Sequence, residues 1–142
     1  MSENAAVTWL KYASGFIIAT GILVAMASHP AASWPARVLA DVIFWPVDGA
    51  QEIAARETRL LAAIGGGVMA GWGAMMWLTA TRVYPKDPQL ARLLIAEGAL
   101  IWFAVDSIGS VAAGAPLNVI GNLGFLALIL APLAQRARIS AA

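Results

Sequence analysis

Apolar residues fill four long runs of the chain, Tyr12 to Ser28, Leu60 to Thr81, Leu93 to Ala113 and Pro116 to Ala134, with short polar connectors between them. Each run is close to the ~20 residues that a helix rising ~1.5 Å per residue needs to cross a bilayer core. Backbone amides find no water in hydrocarbon, so a segment of this kind spans as a helix. The pattern predicts an all-α protein: a four-transmembrane-helix bundle forming one integral membrane domain over 1–142, with spans at about 12–28, 60–81, 93–113 and 116–134.

The longest connector, His29 to Arg59, has a pattern of its own. Ser33 in N-cap position and Pro35 at the first helical position open a segment in which Val38, Leu39, Val42, Ile43 and Trp45 cover one broad face. Arg37 and Asp41 sit four apart on the other face. The spacing predicts a short amphipathic interfacial helix over about 35–45, with Trp34 and Trp45 at headgroup level and Pro46 ending it. Asp48 and Gln51 then resemble a helix start, with Glu52 and Arg56 as an i,i+4 pair leading into the second span.

Composition strengthens the membrane reading. The chain is 61% hydrophobic and 12% charged, with mean hydropathy +0.76, against about a quarter charged in ordinary soluble domains. A net charge of +1 offers no concentrated basic field for phosphates, so no nucleic-acid partner is expected. The absence of cysteine excludes disulfides, thiolate metal sites and thiol nucleophiles. Ala25-Met26-Ala27 has the small-x-small form of a signal-peptidase site, but Glu3 offsets Lys11 before the apolar run, which favours an uncleaved helix.

With four spans, Lys11, Arg82, Lys86, Arg92, Arg136 and Arg138 share one side and Arg37, Arg56 and Arg59 the other. Six cations against three predict that both termini are cytoplasmic, by the positive-inside rule. The second span carries Gly65-Gly66-Gly67, Gly71 and Gly73, in which Gly67 and Gly71 form a G-x-x-x-G face for close helix packing, with a ligand cleft as the lesser reading. Tyr84-Pro85-Lys86-Asp87-Pro88 predicts a tight turn that makes the second and third spans antiparallel neighbours.

Two ionisable residues lie inside the spans, Glu97 and Asp106, and each costs at least ~2.5 kcal/mol in hydrocarbon without a partner. Nine residues of helix separate them, about 900° of rotation and about 13 Å of rise, so they face opposite sides and cannot form a carboxylate dyad. Glu97 lies at a depth similar to that of Lys11 on the first helix, which predicts a Lys11–Glu97 ion pair. Asp106 is followed by Ser107 and Ser110; across the Gly114-Ala115-Pro116 turn, Asn118 and Asn122 share a helix face. Arg56 and Arg59 reach the second span at the same outer level. These residues predict a polar cluster in which Arg59 or Arg56 compensates Asp106 and the asparagines complete the hydrogen bonds, either as a functional site or as an orienting device between helices.

Other candidates lead away from catalysis. His29 is the only histidine, so a surface position is expected rather than metal ligation. Trp72, Trp77 and Trp102 lie within the spans, where packing is the first expectation and an aromatic ligand pocket the second. No phosphate-binding loop, dinucleotide glycine fingerprint, G-x-S-x-G elbow or H-E-x-x-H occurs, so no catalytic residue, metal or cofactor is predicted.

From Asp48 to Pro132 the chain resembles a group of small, uncharacterised bacterial membrane proteins with four predicted helices. The shared features are Trp45-Pro46-Val47-Asp48-Gly49-Ala50, Glu57-Thr58-Arg59, the glycine run with Gly71-Trp72-Gly73, Arg82-Val83-Tyr84-Pro85, and Trp102-Phe103-Ala104-Val105-Asp106-Ser107 leading to Ala113-Gly114-Ala115-Pro116-Leu117-Asn118. Some of that group carry an excinuclease label, but this chain lacks the phosphate-binding loop and cysteines that such an ATPase requires. The resemblance implies a fold and topology and no activity. Together these readings predict a small non-enzymatic inner-membrane protein that binds a lipid-like ligand or a membrane partner. Two alternatives are an accessory subunit or homo-oligomer docking through the small-residue face, and a small transporter or channel component using Asp106.

Overall fold

The computed structural model describes residues 2–133, and all of its regular structure is helical. Helix α1 spans Glu3–Met26, α2 Trp34–Phe44, α3 Arg56–Leu78, α4 Pro88–Ala112 and α5 Leu117–Leu130; a 3-10 turn, Pro30–Ala32, precedes α2, and a π-helical turn, Thr79–Val83, continues α3. Three helices are long and apolar enough to cross a membrane: α1, α3 with its π turn, and α4. Helix α5, with 14 residues, covers about 21 Å at ~1.5 Å per residue. The last residue of the fourth apolar run, Ala134, and two counted cations, Arg136 and Arg138, lie outside the described residues.

The helices begin before the apolar runs because capping residues sit in the polar flanks. Ser2 Oγ accepts from Ala5 N at 3.2 Å, and Asp87 Oδ1 accepts from Leu90 N at 2.9 Å with Pro88 at the first position of α4. At the other end of α4, Gly114 takes φ +75°, Ala115 N donates to Ser110 O at 2.8 Å and Gly114 N to Val111 O at 3.1 Å. These are the paired bonds of a Schellman ending, and they fold α5 back on α4.

The core forms along two helix pairs, α1 against α3 and α4 against α5, joined near the π turn. On α1 the buried residues are Ala6, Leu10, Ala13, Ser14, Ile17 and Gly21, a stripe at three- and four-residue steps that presents one narrow face. The matching stripe on α3 carries Gly66, Gly73 and Met76. A Cβ on Gly66 would overlap Ala25 N and Gly21 O, and one on Gly21 would stand 2.5 Å from Ala70 N. The backbones are therefore in direct contact, as small residues permit in lipid-phase packing. Most large apolar side chains are left outward: only 28%, 17% and 11% of the most apolar windows of α1, α3 and α4 are buried. A water-soluble domain does not leave so much contiguous apolar surface uncovered.

Polar side chains fix the helix ends to one another. Tyr84, 1% exposed, follows the π turn and accepts from Arg92 Nε at 3.1 Å and Nη2 at 2.8 Å, which ties that turn to α4. Trp9 Nε1 donates to Leu128 O at 2.8 Å, joining α1 to α5. That carbonyl would bond residue 132 in a continuing helix, but Pro132 has no N–H to give.

The connector departs from its sequence reading in three respects. Ser33 does not cap α2 with its side chain: its Oγ donates to Pro30 O at 2.9 Å instead. Asp41 is not on an exposed polar face; it is 5% exposed and accepts from Gly49 N and Gln51 N, both at 3.1 Å. The non-helical chain after α2 has amides that need acceptors, and this carboxylate supplies two. Asp48 caps an Asx-type turn through Ala50 N at 3.0 Å rather than a helix start, and α3 begins only at Arg56, so Glu52 and Arg56 share no helix.

Candidate functional site

Helix α2 lies against α1 and α5, and beneath it the two helix pairs leave a cavity of ≈ 790 Å³. Its walls come from every helix: Phe16 and Thr20 of α1, Leu39 and Ile43 of α2, Met69 of α3, Trp102 of α4, and Gly121 and Phe125 of α5. The size lies within the range of pockets that take drug-sized or lipid-like molecules. Aromatic rings stiffen one side: Phe16 stacks on Phe125 with centroids 5.3 Å apart, Trp102 meets Phe125 edge-on at 6.1 Å, and Trp72 packs on Trp102 at 5.4 Å.

Besides Thr20, whose hydroxyl donates to Phe16 O at 2.9 Å, the polar side chains of the wall gather at one place. Asp106 and Asn118 line the cavity together with Asn122. Asp106 Oδ1 accepts from Ser110 Oγ at 3.0 Å, Asn118 Nδ2 at 2.9 Å and Asn122 Nδ2 at 2.8 Å. Asn118 Nδ2 also reaches Ser110 Oγ at 2.8 Å, and Asn122 Nδ2 reaches Ser107 Oγ at 3.4 Å. The Schellman turn makes this possible, because it returns the chain with the i,i+4 face of α5 opposite the i,i+4 face of α4. The other carboxylate oxygen, Oδ2, accepts no hydrogen bond from the described residues.

The structure therefore brings Asp106, Ser110, Asn118 and Asn122 into one cluster, and the arginines expected with them stand elsewhere. Arg59 Nε donates to Ile53 O at 3.3 Å, which fastens the connector to the start of α3, and Arg56 is exposed at the first position of that helix. A backbone carbonyl in the adjacent loop reaches the guanidinium before Asp106 does. The Lys11–Glu97 ion pair does not form either. Lys11 Nζ lies 5.3 Å from the centre of the Trp77 ring, a cation–π arrangement, while Glu97 is exposed on α4, away from the face that buries Ala91, Ile95 and Ala99.

The glycine expectation also changes register. A Cβ at Gly67 or at Gly71 would meet nothing within 4 Å, so these two do not pack against another described helix. Gly66 and Gly73 do, seven residues apart and on one side of α3. Sequence reasoning also missed Asp41 and the cavity-lining aromatics Phe16 and Phe125. The ring pair is formed between α1 and α5 and leaves no spacing signal in either helix.

His29 is exposed, and its Nδ1 accepts from Ala31 N at 3.3 Å, capping the 3-10 turn. No group of three or more His, Asp or Glu suited to a metal ion occurs among the described residues. No family model, curated protein or solved structure matches the chain.

Proposed function

We propose that this is a four-span, non-enzymatic protein of the bacterial inner membrane that holds an amphipathic, lipid-like molecule in the cavity beneath α2. The observation that carries the reading is an apolar cavity of ≈ 790 Å³ with one anchored polar cluster in its wall. Such a combination buries a chain by apolar contact and fixes its head by a few hydrogen bonds. In this reading α5 is the fourth span and α2 lies in the outer interface, with both termini in the cytoplasm. The apolar length of α1, α3 and α4 supports the membrane placement. The cluster sits about 9 Å from the outer end of α4, at ~1.5 Å per residue from Asp106 to Ala112, within reach of a molecule entering from the outer leaflet.

The test is native mass spectrometry of the full chain released from mild detergent, comparing the wild type with Gly121→Leu. A Cβ at Gly121 meets nothing within 4 Å, and a leucine there extends into the cavity. A co-purified amphiphile present in the wild type and absent from Gly121→Leu is expected. Equal occupancy in both, or none in the wild type together with no added lipid retained, refutes the reading.

One observation favours a second reading, an accessory subunit or homo-oligomer. Glu97 is exposed near the middle of α4 with no partner among the described residues, and a carboxylate on a lipid-facing surface calls for a cation or donor from a neighbouring chain. Mass measurement of the same preparation separates the two, because a lone monomer speaks against the subunit.

A further inference from the structure

We propose that the head group taken by this cavity is a primary ammonium, donating to Asp106 Oδ2; the assignment rests on the cavity-binding reading above and specifies its ligand class. Three donors converge on Oδ1 alone, from Ser110, Asn118 and Asn122. They orient the carboxylate and leave Oδ2 without a donor among the described residues, on a side chain that lines the cavity. It is an acceptor with no protein donor on a half-buried side chain in a largely apolar wall, where a ligand's N–H gains a charge-assisted bond once the bound molecule displaces water.

Charge selects among donors. All three groups that Asp106 contacts are neutral, no cation pairs with it among the described residues, and Arg59 donates to Ile53 O while Arg37 and Arg56 are exposed. A hydroxyl head would satisfy the lone pair and leave the charge without a counter-ion. An ammonium satisfies both. The same cavity presents the rings of Trp102, Phe16 and Phe125, whose faces attract a cation and whose bodies accept an alkyl chain. Anionic heads are disfavoured by the same carboxylate, because like charges brought together at one site repel.

Binding of radiolabelled decylammonium to the full chain in phosphatidylcholine nanodiscs, with empty discs subtracted, tests this. Saturable binding is expected, with 1-decanol and decanoate competing at least about tenfold less well, the effect of one charge-assisted hydrogen bond. Asp106→Asn, which keeps the shape of the side chain, is expected to bring decylammonium down to the affinity of decanol. The head-group comparison on the wild type stands whether or not that variant folds. If decanol competes as well as decylammonium, or Asp106→Asn retains the preference, the ammonium assignment is overturned while the cavity reading survives. If neither probe binds saturably and Gly121→Leu changes nothing, both fall.

Discussion

Replacing Gly66 by alanine adds one methyl group where two helix backbones touch. The new Cβ would stand 2.8 Å from Ala25 Cα and overlap Ala25 N and Gly21 O, all of them backbone atoms that no rotamer change can move aside. Reaching an ordinary carbon–carbon separation of ~3.5 Å requires α1 and α3 to part by at least about 0.7 Å, and a gap of that order forfeits a quarter to a half of each van der Waals contact along the seam. Overpacking of this kind costs about 1 to 3 kcal/mol. At Gly67, one position along, an added Cβ meets nothing within 4 Å, and alanine gains up to about 1 kcal/mol of helix propensity. Both replacements share that propensity gain, so the two neighbours should differ by the packing cost alone, about 1 to 3 kcal/mol. Unfolding of each variant by sodium dodecyl sulfate in dodecyl maltoside micelles, followed by circular dichroism, measures it. Equal stabilities, or a Gly67→Ala variant less stable than Gly66→Ala, would show that α3 presents a different face to α1.

Three further outcomes follow from the structure. Asp41→Ala removes the acceptor of Gly49 N and Gln51 N; two lost carboxylate bonds, at about 1 to 3 kcal/mol together, should raise protease cleavage within 46–55 by about fivefold or more with the helices intact. Tyr84→Phe leaves Arg92 without its hydroxyl acceptor and should lower stability by about 1 to 2 kcal/mol in the same detergent titration. Because the chain has no cysteine, Ala50→Cys and Lys86→Cys each create a single thiol. In intact cells a membrane-impermeant maleimide should label the first and spare the second, and the reverse pattern would invert the proposed orientation.

The sequence carries the helices well and the pairing between them poorly. Long apolar runs flanked by Ser2, Asp87 and Gly114 leave little choice of element, because capping chemistry and hydrocarbon both act locally. The Asp106 cluster is legible for a related reason: a short turn joins two i,i+4 polar faces, so little freedom separates them. Arg59 is a different case, since a long side chain settles on whichever acceptor it meets first, and the position of Ile53 O depends on how the connector folds. The glycine register is not local either. Several glycine pairs in 65–73 satisfy a packing spacing, and the stripe on α1 around Gly21 decides that Gly66 and Gly73 are used. The role of Asp41 was masked by its i,i+4 relation to Arg37, a surface pattern that the amides of 49 and 51 override once the chain turns back.

The proline that halts α5 also decides what holds the two ends of the described chain together. With no amide at 132, the Leu128 oxygen stays available to the Trp9 indole. An alanine at 132 would supply a competing donor from within the same helix, and the indole would then have to give up its partner or share it. The end of α5 and its attachment to α1 thus have a single origin, and lengthening the one should loosen the other.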